Sequence, residues 1–132
     1  MEDLYVQLAA ILVAILSGGI AVFQILLFLG FPLGEYSWGG KYKGVLPKKI
    51  RMMSLPAAVL GLFFGLVFLM HTNLLTIESI LPTNILVWVI TVFLGLNTLG
   101  NLASRSKKEK VVMGPIAAIT FLSCLFISIF GK

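Results

Sequence analysis

Four stretches of this chain, residues 8–29, 55–75, 85–103 and 111–130, contain no aspartate, glutamate, lysine or arginine. A bilayer core roughly 30 Å thick takes about 20 apolar residues in helix to cross. Each stretch is about that long, so each is read as a membrane-spanning helix. Only 11% of the 132 residues are charged, against about a quarter in soluble proteins. A chain this small cannot hide so much apolar surface in a core of its own. The expected fold is an all-α membrane protein, one domain over residues 1–132, with four transmembrane helices in an antiparallel bundle.

Charge sets the expected orientation. Nine of the ten basic residues fall in two inter-helix stretches: Lys41, Lys43, Lys48, Lys49 and Arg51 in residues 31–54, and Arg105, Lys107, Lys108 and Lys110 in residues 104–110. Both stretches lie on one side of a four-span chain, and the other side has only Lys132 with Glu2, Asp3 and Glu78. The positive-inside bias predicts both basic loops inside and both termini outside. The expected location is the cell membrane, multi-pass. The net charge of +5 is then topological, and no nucleic-acid partner is expected. Glu2 and Asp3 precede the first apolar run, which is too long for a signal-peptide core, so it is expected to stay as the first span.

Each helix carries one face suited to a neighbour. In the first, Ala10, Ala14 and Gly18 recur at four-residue spacing beside Ser17 and Ala21. In the second, Ala57, Gly61 and Gly65 do the same, a stripe that serves helix packing within the chain or between copies. Ser54 is expected to cap the second helix, with Pro56 in its first turn. Ala117, Thr120, Cys124 and Ser128 give the fourth helix a small, weakly polar face. Residues 72–84 contain Leu74, Leu75, Ile77, Ile80 and Leu81 and are expected to rest on the outer interface.

Catalytic constellations are missing from the sequence. Metal sites need converging ligands, and one His and one Cys in different spans do not supply them. Glu35 and Glu78 fall on opposite sides, and no phosphate-binding glycine loop occurs. The protein is expected not to be an enzyme and to need no metal or cofactor. His71 is read as an interfacial polar residue. No carboxylate lies inside a span, which disfavours proton-driven antiport of the kind four-span multidrug exporters perform.

Candidate binding residues remain. Gln24 lies near the inner end of the first span, and Asn97 and Asn101, one turn apart, near that of the third. They line a pocket covered by residues 31–54, or they fasten helices by hydrogen bonds of about 0.6 kcal/mol each. Residues 31–54 offer the same choice. Tyr36, Trp38 and Tyr42 anchor at headgroup level, Gly39 and Gly40 permit a tight fold-back, and Glu35 and Arg51 can pair across the loop. Such a loop is either a shaped site or a topogenic connector with aromatic anchors. Lys41, Lys43, Lys48, Lys49, Arg105, Lys107 and Lys108 are the expected contacts for anionic lipid headgroups.

The segments FPLGEYSWGG, GVLPKKIRMMS and NLASRSKKEKVVMGP together resemble a family of small bacterial four-span integral membrane proteins. The shared pattern is Pro-x-Gly (Pro32, Leu33, Gly34), Trp-Gly-Gly (Trp38, Gly39, Gly40), Leu46-Pro47, Arg51 and Ser54. It continues with Asn101, Ser104-Arg105-Ser106 and Gly114-Pro115. Leu33 stands where that group has tryptophan, and Glu109-Lys110 where it has glutamate-arginine. The resemblance implies the architecture and no mechanism. Two functions follow from the residues: binding of lipid headgroups or a partner through the basic loops, or a small-molecule channel or transporter built from several copies.

Overall fold

The computed structural model describes residues 2–74 and 82–131. The second connection, with Leu75, Ile77, Glu78, Ile80 and Leu81, lies mostly outside the described residues, so its place at an interface does too. Four helices make the fold: α1 (Glu2–Phe28), α2 (Lys48–His71), α3 (Thr83–Leu102) and α4 (Gly114–Phe130). Among the described residues there is no strand. α4 is led in by a π-helical turn, Glu109–Met113. All four, α4 together with its π-helical turn, are long and apolar enough to cross a membrane. At 1.5 Å per residue, the 27 residues of α1 span about 40 Å and the 20 of α3 about 30 Å.

Backbone hydrogen bonding explains where the helices stop, since a bare backbone end is costly in lipid. α1 ends in a Schellman-type turn, with Phe31 N–H donating to Leu26 O at 3.1 Å. α2 ends the same way, with Leu74 N–H on Leu69 O at 3.0 Å and Asn73 at φ 62°. The start of α2 differs from the expectation. Pro47 precedes its first residue, so Lys48, Lys49 and Arg51 lie on the helix and Pro56 sits in its interior. Ser54 is not a cap; it is buried at 3% exposure. Charged residues can extend a helix beyond the apolar slab, so an apolar run underestimates its length.

α1 and α2 share the most extensive interface, and α2 and α3 the least extensive of the neighbouring pairs. The small residues explain the first. A Cβ added at Gly65 would lie 3.5 Å from Ala14 Cα, and one at Gly61 would lie 3.4 Å from Ser17 O. The stripe therefore packs inside the chain. Gly18 takes no part, for a Cβ there would meet nothing within 4 Å.

The end of the bundle that holds the termini is filled. Val6, Ala10 and Val13 of α1 meet Val67 and Phe68 of α2. Val87 and Ile90 of α3 and Cys124 and Ile127 of α4 complete this core. The polar groups here are paired. Thr91 Oγ1 and Ser128 Oγ lie 2.9 Å apart between α3 and α4. His71 is the last residue of α2 and is buried against its neighbours at 6% exposure. Its Nε2 donates to Gly131 O at 3.2 Å, and its Nδ1 lies 3.1 Å from Thr83 Oγ1. Outside the core, Ile15, Val59, Leu96 and Leu122 are 60% exposed or more, apolar surface of the kind that marks a membrane or protein contact.

Candidate functional site

The opposite end, where both basic loops lie, is built around a void. Residues 31–47 fold back over the helix ends as two short 3₁₀ turns, Gly34–Tyr36 and Trp38–Gly40. Gly34 anchors them. Its N–H donates to Gly44 O at 2.8 Å, and a Cβ there would come within 2.7 Å of the carbonyl oxygens of both Gly44 and Tyr42. Leu46, 2% exposed, is the loop's own apolar plug. Trp38, Gly39 and Gly40 follow at φ 56°, 65° and 77°. Positive φ at a tryptophan is strained backbone, of the kind that persists where surrounding contacts enforce it.

Those contacts come from the connection between α3 and α4. Ser106 Oγ donates to Glu35 O at 2.6 Å. Lys108 Nζ lies 3.1 Å from Glu35 Oε2 and 5.9 Å from the Tyr36 ring centroid. Glu35 therefore pairs with Lys108, and the expected pairing with Arg51 is not made. Arg51 sits on the first turns of α2, turned to the end of α1, where it lines a shallow groove with Phe28, Leu29, Lys48 and Met52. The Glu35 carboxylate holds the Lys108 ammonium above its usual 10.5, by hydrogen bond first and by charge second. Gly40 closes the strap, because any Cβ on it would collide with that of Ser106.

Beneath the strap, between all four helices, lies a cavity of about 780 Å³, within the range of small-molecule sites. Gln24 with Ile20 and Phe23 comes from α1, and Asn97 and Asn101 with Phe93 from α3. α2 adds Met53, Ser54, Ala57, Leu60 and Phe64, while Tyr36 to Gly39 cover the loop end. The deep end is closed by Phe64 and Phe93, edge to face at 5.6 Å. Met53 and Leu60 of α2, and Leu96, Asn97 and Gly100 of α3, line it yet are exposed. The mouth is thus a lateral gap between the two helices that touch least.

The structure brings Gln24, Trp38, Gly39, Asn97 and Asn101 to one cavity and leaves Glu35, Gly40 and Arg51 out of it. Among the described residues, none of the three amides makes a side-chain hydrogen bond within the protein, so they do not act as interhelical fasteners. The expected headgroup contacts Lys41, Lys43, Lys48, Lys49, Arg105 and Lys107 are all exposed, and Lys108 is engaged by Glu35.

Sequence reasoning missed Glu109. It lies just before the fourth apolar run, in the π-helical turn that prolongs α4, and is buried at 5% exposure. It lines the cavity, so a carboxylate does stand at the margin of the fourth span. The Ser104 hydroxyl and the backbone of Gly39 and Gly40 lie near it. Its Oε2 and the Ser37 Oγ, also on the cavity wall, are both buried without a hydrogen-bond partner. Periodicity carried one turn back from the apolar run would have found it. Glu109, Met113, Ile116, Ala117 and Thr120 recur at helical spacing on one face, and all five line the cavity.

Among the described residues no group of three or more His, Cys, Asp or Glu converges as a metal site. No family model, curated protein or solved structure matches the chain.

Proposed function

We propose that this protein is a non-enzymatic integral membrane protein that binds an amphiphile in the cavity under the strap. The observation that carries the reading is the cavity's polarity along its length. Aromatic and aliphatic side chains line the deep part, three unbonded amides and the loop backbone line the end near the strap, and the mouth opens sideways. A lipid-like molecule can enter through such a gap from the bilayer, leaving its apolar part against Phe64 and Phe93. Burial of 70–90% of a ligand's surface is typical of such clefts.

The exposed lysines serve a separate role in this reading. Lys41, Lys43, Lys48 and Lys49 meet anionic headgroups of the inner leaflet, at about 1 kcal/mol each, and hold the basic end in the cytoplasm. Passage of a solute through a single copy is disfavoured, because the filled core between Val6 and Ile127 lies across the path.

The test is retention of lipid by native mass spectrometry after release from nanodiscs of mixed phosphatidylethanolamine and phosphatidylglycerol. A Cβ at Gly100 meets nothing within 4 Å, and the residue lines the cavity, so Gly100→Phe fills it without a clash at the backbone. The wild type is expected to retain one lipid that Gly100→Phe loses. Equal retention by both would refute the reading.

A further inference from the structure

From the charge distribution around the cavity we infer that its ligand carries an ammonium head group, received by Glu109. This rests on the amphiphile reading and names the chemistry of its polar end. The chain has ten basic and five acidic residues, so a cavity lined at random would be basic. Among the described residues no lysine or arginine lines it, and Glu109 is the one acidic residue that does. The basic side chains nearby turn away: Lys41, Lys43, Lys107 and Lys110 are exposed, and Lys108 is held by Glu35.

A carboxylate buried at 5% exposure with an unpartnered Oε2 is costly unless a cation or enough donors compensate. Ser104, Gly39 and Gly40 lie around the carboxylate, and its Oε2 has no hydrogen-bond partner. A ligand ammonium would complete the set. Ser37 Oγ, the second unpartnered atom on the same wall, offers it an acceptor. Trp38 lines the cavity at the same end, and aromatic rings attract ammonium groups. An anionic head would meet the Glu109 carboxylate with no lysine or arginine in the lining to offset the repulsion.

The experiment compares dodecylamine, dodecanol and dodecanoate near neutral pH, with Trp38 emission as the readout in Trp88→Phe protein in maltoside micelles. Dodecylamine is expected to bind about tenfold more tightly than dodecanol, the factor a charge-assisted hydrogen bond supplies, and dodecanoate more weakly than either. Glu109→Gln should reduce the amine's advantage over dodecanol to nearly nothing while dodecanol binding is kept. Equal binding of all three in the wild type, abolished by Gly100→Phe, would leave the amphiphile reading standing and overturn the ammonium inference. Binding of none would remove both. The wild-type comparison decides even if Glu109→Gln does not fold.

A lipid amine and a free amine are separated by the nanodisc experiment. Retained phosphatidylethanolamine identifies a headgroup as the source, and retention of added dodecylamine alone identifies a free amphiphilic amine. Retained phosphatidylglycerol in place of either contradicts the inference.

Discussion

The terminal end of the bundle and its basic end are made from the same four helices, and they use polar groups in opposite ways. At the terminal end aliphatic side chains fill the space between the helices, and the polar groups of His71, Thr91 and Ser128 are paired. At the basic end α2 and α3 diverge, and amides, a serine and a carboxylate face a void. In lipid there is little hydrophobic drive to close a gap between helices, so packing and hydrogen bonds decide where they meet. A region that leaves both unused is one from which a ligand can gain them.

The largest expected effect falls at the filled end. Phe68 is fully buried, and Phe68→Ala should cost about 3 kcal/mol, read as a lowered midpoint of thermal unfolding in detergent. Leu60, 43% exposed at the cavity mouth, should cost less than about 1 kcal/mol on truncation to alanine. Equal losses would erase the distinction between the ends.

The strap gives an intermediate effect and an internal control. Gly39 and Gly40 both have positive φ, but only at Gly40 does an added Cβ meet Ser106; at Gly39 nothing lies within 4 Å. Gly39→Ala should cost about 1 kcal/mol for the backbone alone, and Gly40→Ala about 2 kcal/mol or more with the clash added. Protease sensitivity of residues 31–47 should rise in the second variant only. Similar behaviour in both would mean that the loop does not rest on the α3–α4 connection.

The smallest effect belongs to the exposed Glu35–Lys108 pair. Because the carboxylate raises the ammonium's folded pKa, the pair's contribution is complete below lysine's usual value and is lost as pH rises through the raised one. The small difference in melting temperature between wild type and Glu35→Gln should therefore be steady through neutral pH and vanish only in strong alkali. A difference that disappears near neutrality would assign it to another group.

How much of this was legible in the sequence follows the same division. The spans were readable because exclusion of charge over 20 residues has one physical cause. The small-residue stripes showed which faces meet, and charge placed both basic loops at one end. The start of α2 was not readable, since Lys48 to Met53 leave the apolar slab without leaving the helix. The Glu35 partner depends on which way residues 31–47 lean, and two basic segments of like composition offered no means to choose. Glu109 was hidden by its neighbours: within Arg105 to Lys110 one acid looks like a surface residue until helical register is extended through it.

The most direct test of the contrast is thiol accessibility from the membrane phase. In a Cys124→Ala background, a single cysteine introduced by Ala57→Cys lines the cavity, and one introduced by Val13→Cys lies in the filled core. A lipid-soluble maleimide should label the first and not the second, and added dodecylamine should protect the first. Equal labelling of both, or labelling of the cavity position that no amphiphile slows, would contradict the account.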